Sequence, residues 1–332
     1  MLSIVIPLYD EAESLPALHE ELRRVLDALP HESEVIFVDD GSRDESWRVI
    51  QKLRDADNRV RGIRFRRNFG KAAALNAGIS AARGDWIITM DADLQDDPAE
   101  IPRFLDAVEN NPWDVVSGWK RVRHDPWHKV WPSRIFNRMV SRLTGVRLHD
   151  HNCGFKIYRR EVFERIVLYG ERHRFVPVLA AAWGWNVGEI EVHHRPRQHG
   201  RSKYGVWRMV KGFLDLLTIY FLTGYGQRPQ HLLGSLGLFC LAFGSLGLLG
   251  LTAAWGITRW DNAMASVSGA ATEAVKAAQA NDLHLHQRAI FYYSIVAVLL
   301  GAQLTAVGFL AELITAYRAG ERPPYLIREH LK

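Results

Sequence analysis

The chain has 332 residues, of which 48% are hydrophobic and 24% are charged, and its formal net charge is +5. This composition excludes a disordered chain, a collagen-like repeat and a small disulfide-rich domain. Two stretches without a charged side chain, residues 232–257 and 289–311, each exceed the roughly 20 apolar residues that span a bilayer. They exclude a purely soluble protein and predict two transmembrane helices.

The N-terminal part alternates short apolar runs with amphipathic or alanine-rich segments. The apolar runs predict buried strands over residues 2–7, 34–39, 60–65, 86–90 and 114–118. The segments between them predict helices over residues 13–29, 44–53, 71–82 and 101–110. This alternation is typical of an α/β domain whose mostly parallel sheet is covered by helices on both faces. Such sheets bind their ligands at the carboxyl ends of the strands.

Two basic amphipathic helices are predicted further along the chain, near residues 131–143 and 204–221. In the first helix, Arg134, Arg138 and Arg142 recur at every fourth position beside apolar side chains. A helix of this kind either shows its basic face to solvent or lies on a bilayer surface. The second helix directly precedes the first apolar stretch, and this favours the bilayer surface.

The domain organisation follows from these elements. We predict a catalytic domain over residues 1–225, which includes both basic helices, and a membrane domain over residues 226–332 that ends in a short tail. Lys and Arg are concentrated before the first span and in the tail, and they are sparse between the spans. Because cytoplasmic segments carry the excess of Lys and Arg, the catalytic domain and both termini are predicted to be cytoplasmic.

Acidic residues stand at the ends of two predicted strands. Asp91-Ala92-Asp93 directly follows the fourth strand, and Asp39 ends the second. Two carboxylates separated by one residue can hold a divalent hard cation against a diphosphate. An acid at a strand end can accept hydrogen bonds from a ribose or a base, while Asp40-Gly41 after it is an ordinary turn pair.

Four segments of the chain resemble glycosyltransferase family 2. They read Ile4-Val-Ile-Pro-Leu-Tyr-Asp-Glu-Ala-Glu13, Val38-Asp-Asp-Gly-Ser42, Asn68-Phe-Gly-Lys-Ala-Ala-Ala-Leu-Asn-Ala-Gly78 and Met90-Asp-Ala-Asp-Leu-Gln-Asp-Asp-Pro98. Asn152-Cys-Gly-Phe-Lys156 and His199-Gly-Arg-Ser-Lys-Tyr-Gly205 narrow the resemblance to polyprenyl-phosphate glycosyltransferases, which include dolichol-phosphate mannose synthases and bacterial enzymes that charge undecaprenyl phosphate. The resemblance covers about residues 1–230, and the two spans match the bacterial members in arrangement only.

The resemblance implies a GT-A fold and a nucleotide-sugar donor. The residues that it places on the nucleoside are Pro7, Tyr9, Glu11 and Asp39. It places Mg²⁺ or Mn²⁺ on Asp91 and Asp93, beside the donor diphosphate, with Gln95 close to the sugar or the metal. A mobile loop that closes over the diphosphate would contain Arg201, Ser202 and Lys203.

The resemblance also implies a membrane-bound acceptor. Arg134 resembles the arginine that contacts the acceptor phosphate, and Lys120 or Arg121 could substitute for another basic contact that the family has in this region. One departure is Asp10, where the family usually has Asn. The donor diphosphate and the lipid phosphate would repel each other, so the basic residues and the cation suit this pair of substrates. No nucleic-acid-binding signature is present.

We therefore expect an integral protein of a bacterial-type inner membrane that transfers a hexose from a nucleotide sugar to a polyprenyl phosphate. The lipid phosphate is already largely dianionic at pH 7, so no dedicated general base is expected, and direct displacement would invert the anomeric centre. UDP-glucose is the favoured donor, and GDP-mannose is the second choice. The same domain could also belong to a processive polysaccharide synthase or to a catalytically silent membrane protein that binds a nucleotide sugar. The sequence is compatible with a homo-oligomer.

Overall fold

The chain divides into two compact units, Met1–Gly224 and a second that begins at Tyr225. The computed structural model describes residues 1–121, 127–166, 168, 170–195, 207–226, 228–267 and 288–319. In the first unit the strands are β1 (Leu2–Leu8), β2 (Ser33–Asp39), β3 (Val60–Arg64), β4 (Trp86–Thr89), β5 (Val115–Trp119), β6 (Lys156–Arg159) and β7 (Val187–Glu191). The helices are α1 (Leu15–Ala28), α2 (Ser46–Ala56), α3 (Lys71–Ala81), α4 (Ile101–Asn110), α5 (Trp127–Thr144), α6 (Val176–Ala182) and α7 (Trp207–Gly224).

All seven strands belong to one sheet, in the order β3-β2-β1-β4-β6-β5-β7. The pairs from β3 to β4 and the β5–β7 pair are parallel, whereas β6 runs antiparallel to both of its neighbours. The predicted mostly parallel α/β sheet is confirmed. Because β1, β2 and β4 run the same way, the residues that follow them meet at one edge of the sheet.

Helices cover both faces of the sheet, as the continuous burial of β1 requires. All seven residues of β1 are buried. Ile4 and Ile6 pack into one core cluster, which also contains Leu18 and Leu22 of α1. Val5 belongs to the opposite cluster, which contains Leu75 of α3. The period of two along the strand therefore divides the core between the two faces.

A small third cluster joins the later helices of the first unit. Val140 of α5, Val178 of α6 and Leu216 and Ile219 of α7 are buried together with Phe175. Among its described side chains, the same helix α7 leaves four large apolar ones exposed, namely Phe213, Leu214, Leu217 and Leu222. Helix α7 therefore carries two apolar faces, of which one is packed against its own unit.

The second unit contains two long helices, α8 (Pro229–Val267) and α9 (Ala289–Ala319). Pro229–Met264 and Ala289–Tyr317 are long and apolar enough to cross a membrane, and they contain the two predicted spans. Glycines allow their close approach: a Cβ atom at Gly244 would lie 2.6 Å from the carbonyl oxygen of Ser294, and one at Gly237 would lie 2.4 Å from Thr305 Oγ1. Small residues commonly permit such packing between membrane helices.

Candidate active site

The Asp-Ala-Asp motif lies in a turn directly after β4, at the carboxyl edge of the sheet. Asp96, which is 1% exposed, folds back so that its Oδ2 accepts a hydrogen bond from the Asp91 backbone N–H at 3.3 Å. Asp93 Oδ1 accepts one from the Gln95 N–H at 3.2 Å. Leu94, between them, has a φ of 59°, which is costly for a residue with a branched side chain. The turn is therefore held in an uncommon conformation by its own carboxylates.

A buried ion pair supports this turn from below. Lys120 Nζ lies 2.7 Å from Asp96 Oδ1, and the Lys120 side chain is only 15% exposed. Burial alone would lower the pKa of Lys120, but the Asp96 carboxylate raises it above its usual value. The structure thus places Lys120 under the turn, while Arg121 lies at the surface, 3.3 Å from Glu191 Oε2. An acceptor contact by Lys120 would require this pair to separate.

Asp91 is contacted by residues from two distant segments. The ammonium of Lys71, the first residue of α3, donates a hydrogen bond to Asp91 Oδ1. Burial would raise the pKa of Asp91, but the Lys71 charge outweighs it and holds that pKa below its usual value. On another side, a Cβ atom at Gly154 would lie 3.1 Å from Asp91 Oδ2. The absence of a side chain at Gly154 therefore leaves room for this carboxylate.

Residues of the same 152–156 segment make buried polar contacts. Thr89 Oγ1 of β4 donates a hydrogen bond to the Gly154 carbonyl oxygen at 2.8 Å. Lys156 is 2% exposed, its ammonium donates to the Cys153 carbonyl oxygen, and burial lowers its pKa. Burial also raises the pKa of the Cys153 thiol to about 12. Cys153 is therefore a protonated packing residue at neutral pH and not a nucleophile.

A cavity of about 160 Å³ opens at this edge of the sheet. It brings together three predicted residues, Asp91, Asp93 and Gln95. Side chains without a predicted role complete much of the lining: Lys71, Asn152, Lys156, His173 and Arg174. Lys71, Asn152 and Lys156 lie in the family-like motifs and could have been found from them.

His173 and Arg174 come from a short 3₁₀ turn before α6, for which the sequence offered no signal. Burial and the nearby Lys71 hold the pKa of His173 well below its usual value, so its imidazole is neutral at pH 7. The Arg174 side chain is only 12% exposed and pairs with Glu171. The cavity thus combines two acidic residues with several basic ones.

Asp39 lies at the end of β2, beside a second cavity of about 310 Å³. Its fully buried carboxylate accepts a hydrogen bond from the Ser42 N–H at 2.7 Å and lies 3.3 Å from Arg64 Nε. Both partners line this cavity, together with Gly41, Phe65 and Arg66. Asp39, which is predicted to contact the nucleoside, therefore interacts with two residues that line this second cavity. The cavity lies at the same edge of the sheet as the first one.

Three other predicted nucleoside residues, Pro7, Tyr9 and Glu11, lie at the end of β1 and in the loop that follows it. Pro7 pairs with Val38 across β1 and β2, and the Glu11 N–H donates to Ser46 Oγ at 3.0 Å; Tyr9 lies between these two in the loop. Asp10 has a φ of 57°, and its Oδ1 accepts a hydrogen bond from the Arg43 N–H at 2.8 Å. Asn and Asp both tolerate this backbone and both supply an acceptor oxygen, so the departure from the family pattern keeps the loop geometry.

The contacts described so far do not include Arg134, which is predicted to contact the acceptor phosphate. Arg134 is exposed on α5 and is not among the side chains that line either cavity. Arg201, Ser202 and Lys203 lie outside the described residues. Their roles stay predictions.

The carboxylates of Asp91 and Asp93 fit a divalent cation that takes its remaining ligands from substrate and water. Among the described residues, no group of three or more His, Cys, Asp or Glu side chains could hold a metal ion. Asp91 and Asp93 provide hard oxygen donors on one wall of the cavity, and Asp91 already attracts the Lys71 ammonium. Mg²⁺ is typically bound by one or two carboxylates together with substrate phosphates and water, so this pair suits such an ion.

Comparison with known proteins identifies the relatives of this chain. The sequence model of glycosyl transferase family 2 matches residues 3–167. Dodecaprenyl-phosphate galacturonate synthase of Rhizobium johnstonii is 36% identical, over 99% of this chain and 92% of that protein. Undecaprenyl-phosphate 4-deoxy-4-formamido-L-arabinose transferase of Pseudomonas fluorescens is 40% identical, over 74% of this chain and 70% of that protein.

Solved structures share the fold of the first unit. Glucosyl-3-phosphoglycerate synthase from Mycobacterium tuberculosis, in complex with Mn²⁺, UDP and phosphoglyceric acid, matches with a TM-score of 0.52 and 14% identity. That match covers 67% of this chain and 78% of that one. Mannosyl-3-phosphoglycerate synthase from Rubrobacter xylanophilus gives a TM-score of 0.52 at 15% identity, over 67% and 74% of the two chains. The GT-A fold that the sequence resemblance implied is confirmed.

Proposed function

The chain belongs to glycosyl transferase family 2 and is a polyprenyl-phosphate sugar transferase, and on that premise we propose that its two cavities hold a nucleotide sugar. The nucleoside would lie beside Asp39, and the diphosphate beside a divalent cation on Asp91 and Asp93. One observation carries this proposal: the motif residues Asp91, Asp93 and Gln95 all line one cavity at the carboxyl edge of β4. The M. tuberculosis enzyme of similar fold was solved with Mn²⁺ and UDP, which supports the metal.

The cation would supply charge stabilisation for the departing nucleoside diphosphate. The residues of the chain would hold the cation and orient the substrates. Asp91 and Asp93 hold their positions through the turn that Asp96 and Lys120 support. Arg134, on the exposed side of α5, is proposed to orient the lipid phosphate. Because that phosphate is largely dianionic at neutral pH, it needs orientation more than deprotonation, and displacement at the anomeric carbon would proceed with inversion.

The names of the relatives allow a more specific proposal about the identity of the donor sugar. UDP-glucose is the donor that the sequence favours, with GDP-mannose second, but the names of the relatives specify galacturonate and 4-deoxy-4-formamido-L-arabinose. The galacturonate enzyme is similar over nearly the whole of both chains. We therefore place UDP-galacturonate first among the donors to be tested, followed by the formamido-arabinose donor and the two neutral hexose donors.

Membrane attachment explains how the enzyme reaches a lipid acceptor. A polyprenyl tail stays in the bilayer because its transfer to water is unfavourable, so the catalytic unit must work at the membrane surface. Helices α8 and α9 would span a bacterial inner membrane, and the exposed apolar residues Phe213, Leu214 and Leu217 of α7 would enter its surface.

The distribution of Lys and Arg supports cytoplasmic termini. Single cysteines placed at Thr272 and at Arg328, in a chain whose own two cysteines are replaced by Ser, test this orientation. An impermeant thiol reagent added to intact cells should label position 272 and spare position 328. Labelling of position 328 alone would reverse the proposed orientation.

The metal proposal has a direct test. We expect Asp91→Asn and Asp93→Asn to reduce sugar transfer by more than about a hundredfold, since each removes a charge that holds the cation, while the melting temperature of the purified protein changes little. Asp55→Asn, on the exposed surface of α2, is the matched control and should keep full activity. Near-normal turnover by either site variant, or by enzyme treated with EDTA, would exclude the proposed metal site.

A further inference from the structure

The Lys71 ammonium occupies a position that the proposed metal would need. It donates a hydrogen bond to Asp91 Oδ1 and lines the same cavity as Asp93. The side chains of Lys71 and Asp91 are 31% and 36% exposed, so neither is locked into the core. A divalent cation that binds Asp91 competes with this ammonium for the same carboxylate, because both are attracted to the same negative charge.

The backbone that carries Lys71 is held firmly. Lys71 begins α3 directly after Gly70, whose φ is 95°. The two carboxylate oxygens of Asp40 accept hydrogen bonds from the Phe69 N–H at 2.7 Å and the Gly70 N–H at 2.9 Å. Further along α3, Gly78 lies directly against Val5 of β1, where a Cβ atom would be only 2.4 Å from a Val5 methyl carbon. If the Lys71 ammonium is displaced, rotation of the four-carbon side chain can therefore move it, but the fixed backbone keeps it close to the cavity.

The other buried lysines at this edge cannot make the same exchange. Lys120 is 2.7 Å from Asp96 beneath the turn, and Lys156 is held by the Cys153 carbonyl oxygen. Of these three lysines, Lys71 is the one whose ammonium contacts a proposed metal ligand.

We propose that Lys71 is the counter-ion of Asp91 until the metal binds, and that the displaced ammonium then moves to the donor diphosphate, so that metal and donor bind cooperatively. This inference rests on the proposed function, because it needs both the cation and the diphosphate. The cation would remove the partner of Lys71, and the diphosphate would provide a new one of the same charge. Binding of either ligand would then raise the affinity for the other by the same factor.

The test is a set of Mn²⁺ titrations of the full chain in detergent, followed by electron paramagnetic resonance, alone and with saturating UDP or pyrophosphate. We expect Lys71→Met to bind Mn²⁺ alone at least about threefold more tightly than the wild type, because its competitor is gone. The increase in Mn²⁺ affinity that UDP or pyrophosphate produces, which in coupled systems is about 5- to 150-fold, should be smaller in the same variant. The part of the increase that comes from direct contact between phosphate and metal should remain. Lys71→Arg should keep the wild-type pattern in part.

Lys52→Met, an exposed position on α2, is the matched control and should titrate like the wild type. Lys71→Gln, which keeps a hydrogen-bond donor without the charge, replaces Lys71→Met if that variant melts at a much lower temperature. A folded Lys71 variant that binds Mn²⁺ no more tightly than the wild type, or that keeps the full coupling, overturns the inference. If the wild type itself binds no Mn²⁺ with UDP, or if Asp91→Asn binds it normally, the proposed metal site fails as well.

Discussion

The carboxylate of Asp91 depends on residues that are far away in the sequence. Lys71 contacts it from the start of α3, and Gly154 leaves space for it. Closer in the sequence, Asp96 accepts a hydrogen bond from the backbone N–H of Asp91. A side chain at position 154 would meet the carboxylate at 3.1 Å, which is tighter than ordinary contact. The position of the Asp91 carboxylate therefore depends on this set of neighbours and not on the short Asp-Ala-Asp motif alone.

Arg134 provides the prediction at the scale of a single residue. Its guanidinium can donate two parallel hydrogen bonds to a phosphate. Loss of a hydrogen bond to a charged group costs roughly 1.5–3 kcal/mol of binding free energy. Arg134→Ala should therefore lower kcat/KM for the lipid phosphate by about one to two powers of ten, while the affinity for the nucleotide sugar, measured by calorimetry, stays close to that of the wild type.

Arg48→Ala is the control for this change, because Arg48 is exposed on α2 and pairs only with the neighbouring Glu45 among the described contacts. It should leave both quantities unchanged. If Arg134→Ala weakens nucleotide-sugar binding and spares the lipid kinetics, the acceptor phosphate lies on another element.

The sequence predicts some of the residues at the two cavities and misses others. Asp91, Asp93 and Asp39 could be predicted because each follows or ends a strand with a clear apolar pattern. His173 and Arg174 could not, because they lie in a short 3₁₀ turn whose position depends on the packing of α6. The burial of Lys120 depends on the contact between the end of β5 and the turn after β4, and no local pattern encodes that contact.

At the scale of elements, the predicted strands were those with continuous apolar runs. Strands β1 to β5 were predicted within a residue or two of their bounds. Strand β6 was missed because it has only four residues and begins with Lys156, a charged residue whose burial is satisfied by backbone carbonyl oxygens. Strand β7 was missed because Val-Gly-Glu-Ile-Glu is short and half polar. Together with β5, these two strands complete the sheet beyond β4.

The two long helices allow a prediction about packing. A side chain at Gly244 would collide with α9, since its Cβ would lie 2.6 Å from the Ser294 carbonyl oxygen, whereas nothing lies within 4 Å of a Cβ at Gly250. Gly244→Leu should therefore separate the helices and lower the melting temperature of the purified protein, and Gly250→Leu should change it little. Equal melting temperatures for the two variants would contradict this packing.

In the whole molecule, the basic side chains and the apolar helices are proposed to bring two substrates together. Two anionic substrates, a diphosphate and a lipid phosphate, must come together at the surface of a membrane, and basic side chains reduce their repulsion. The distribution of charge along the chain predicted the two apolar helices, because a run of more than 20 residues without a charge is long enough to span a bilayer. The identity of the sugar could not be predicted in the same way, since it depends on a few side chains around the cavity and not on a pattern.

The central claim is that this chain transfers one sugar from a nucleotide donor to polyprenyl phosphate with the help of a divalent cation. The most direct measurement incubates the purified full chain with undecaprenyl phosphate, Mg²⁺ or Mn²⁺, and a panel of nucleotide sugars, and identifies the lipid products by mass spectrometry. We expect a single-sugar lipid phosphate from one donor, absent with EDTA and with Asp91→Asn. A polymeric product, a product that survives EDTA, or no lipid product from any donor in the panel would contradict it.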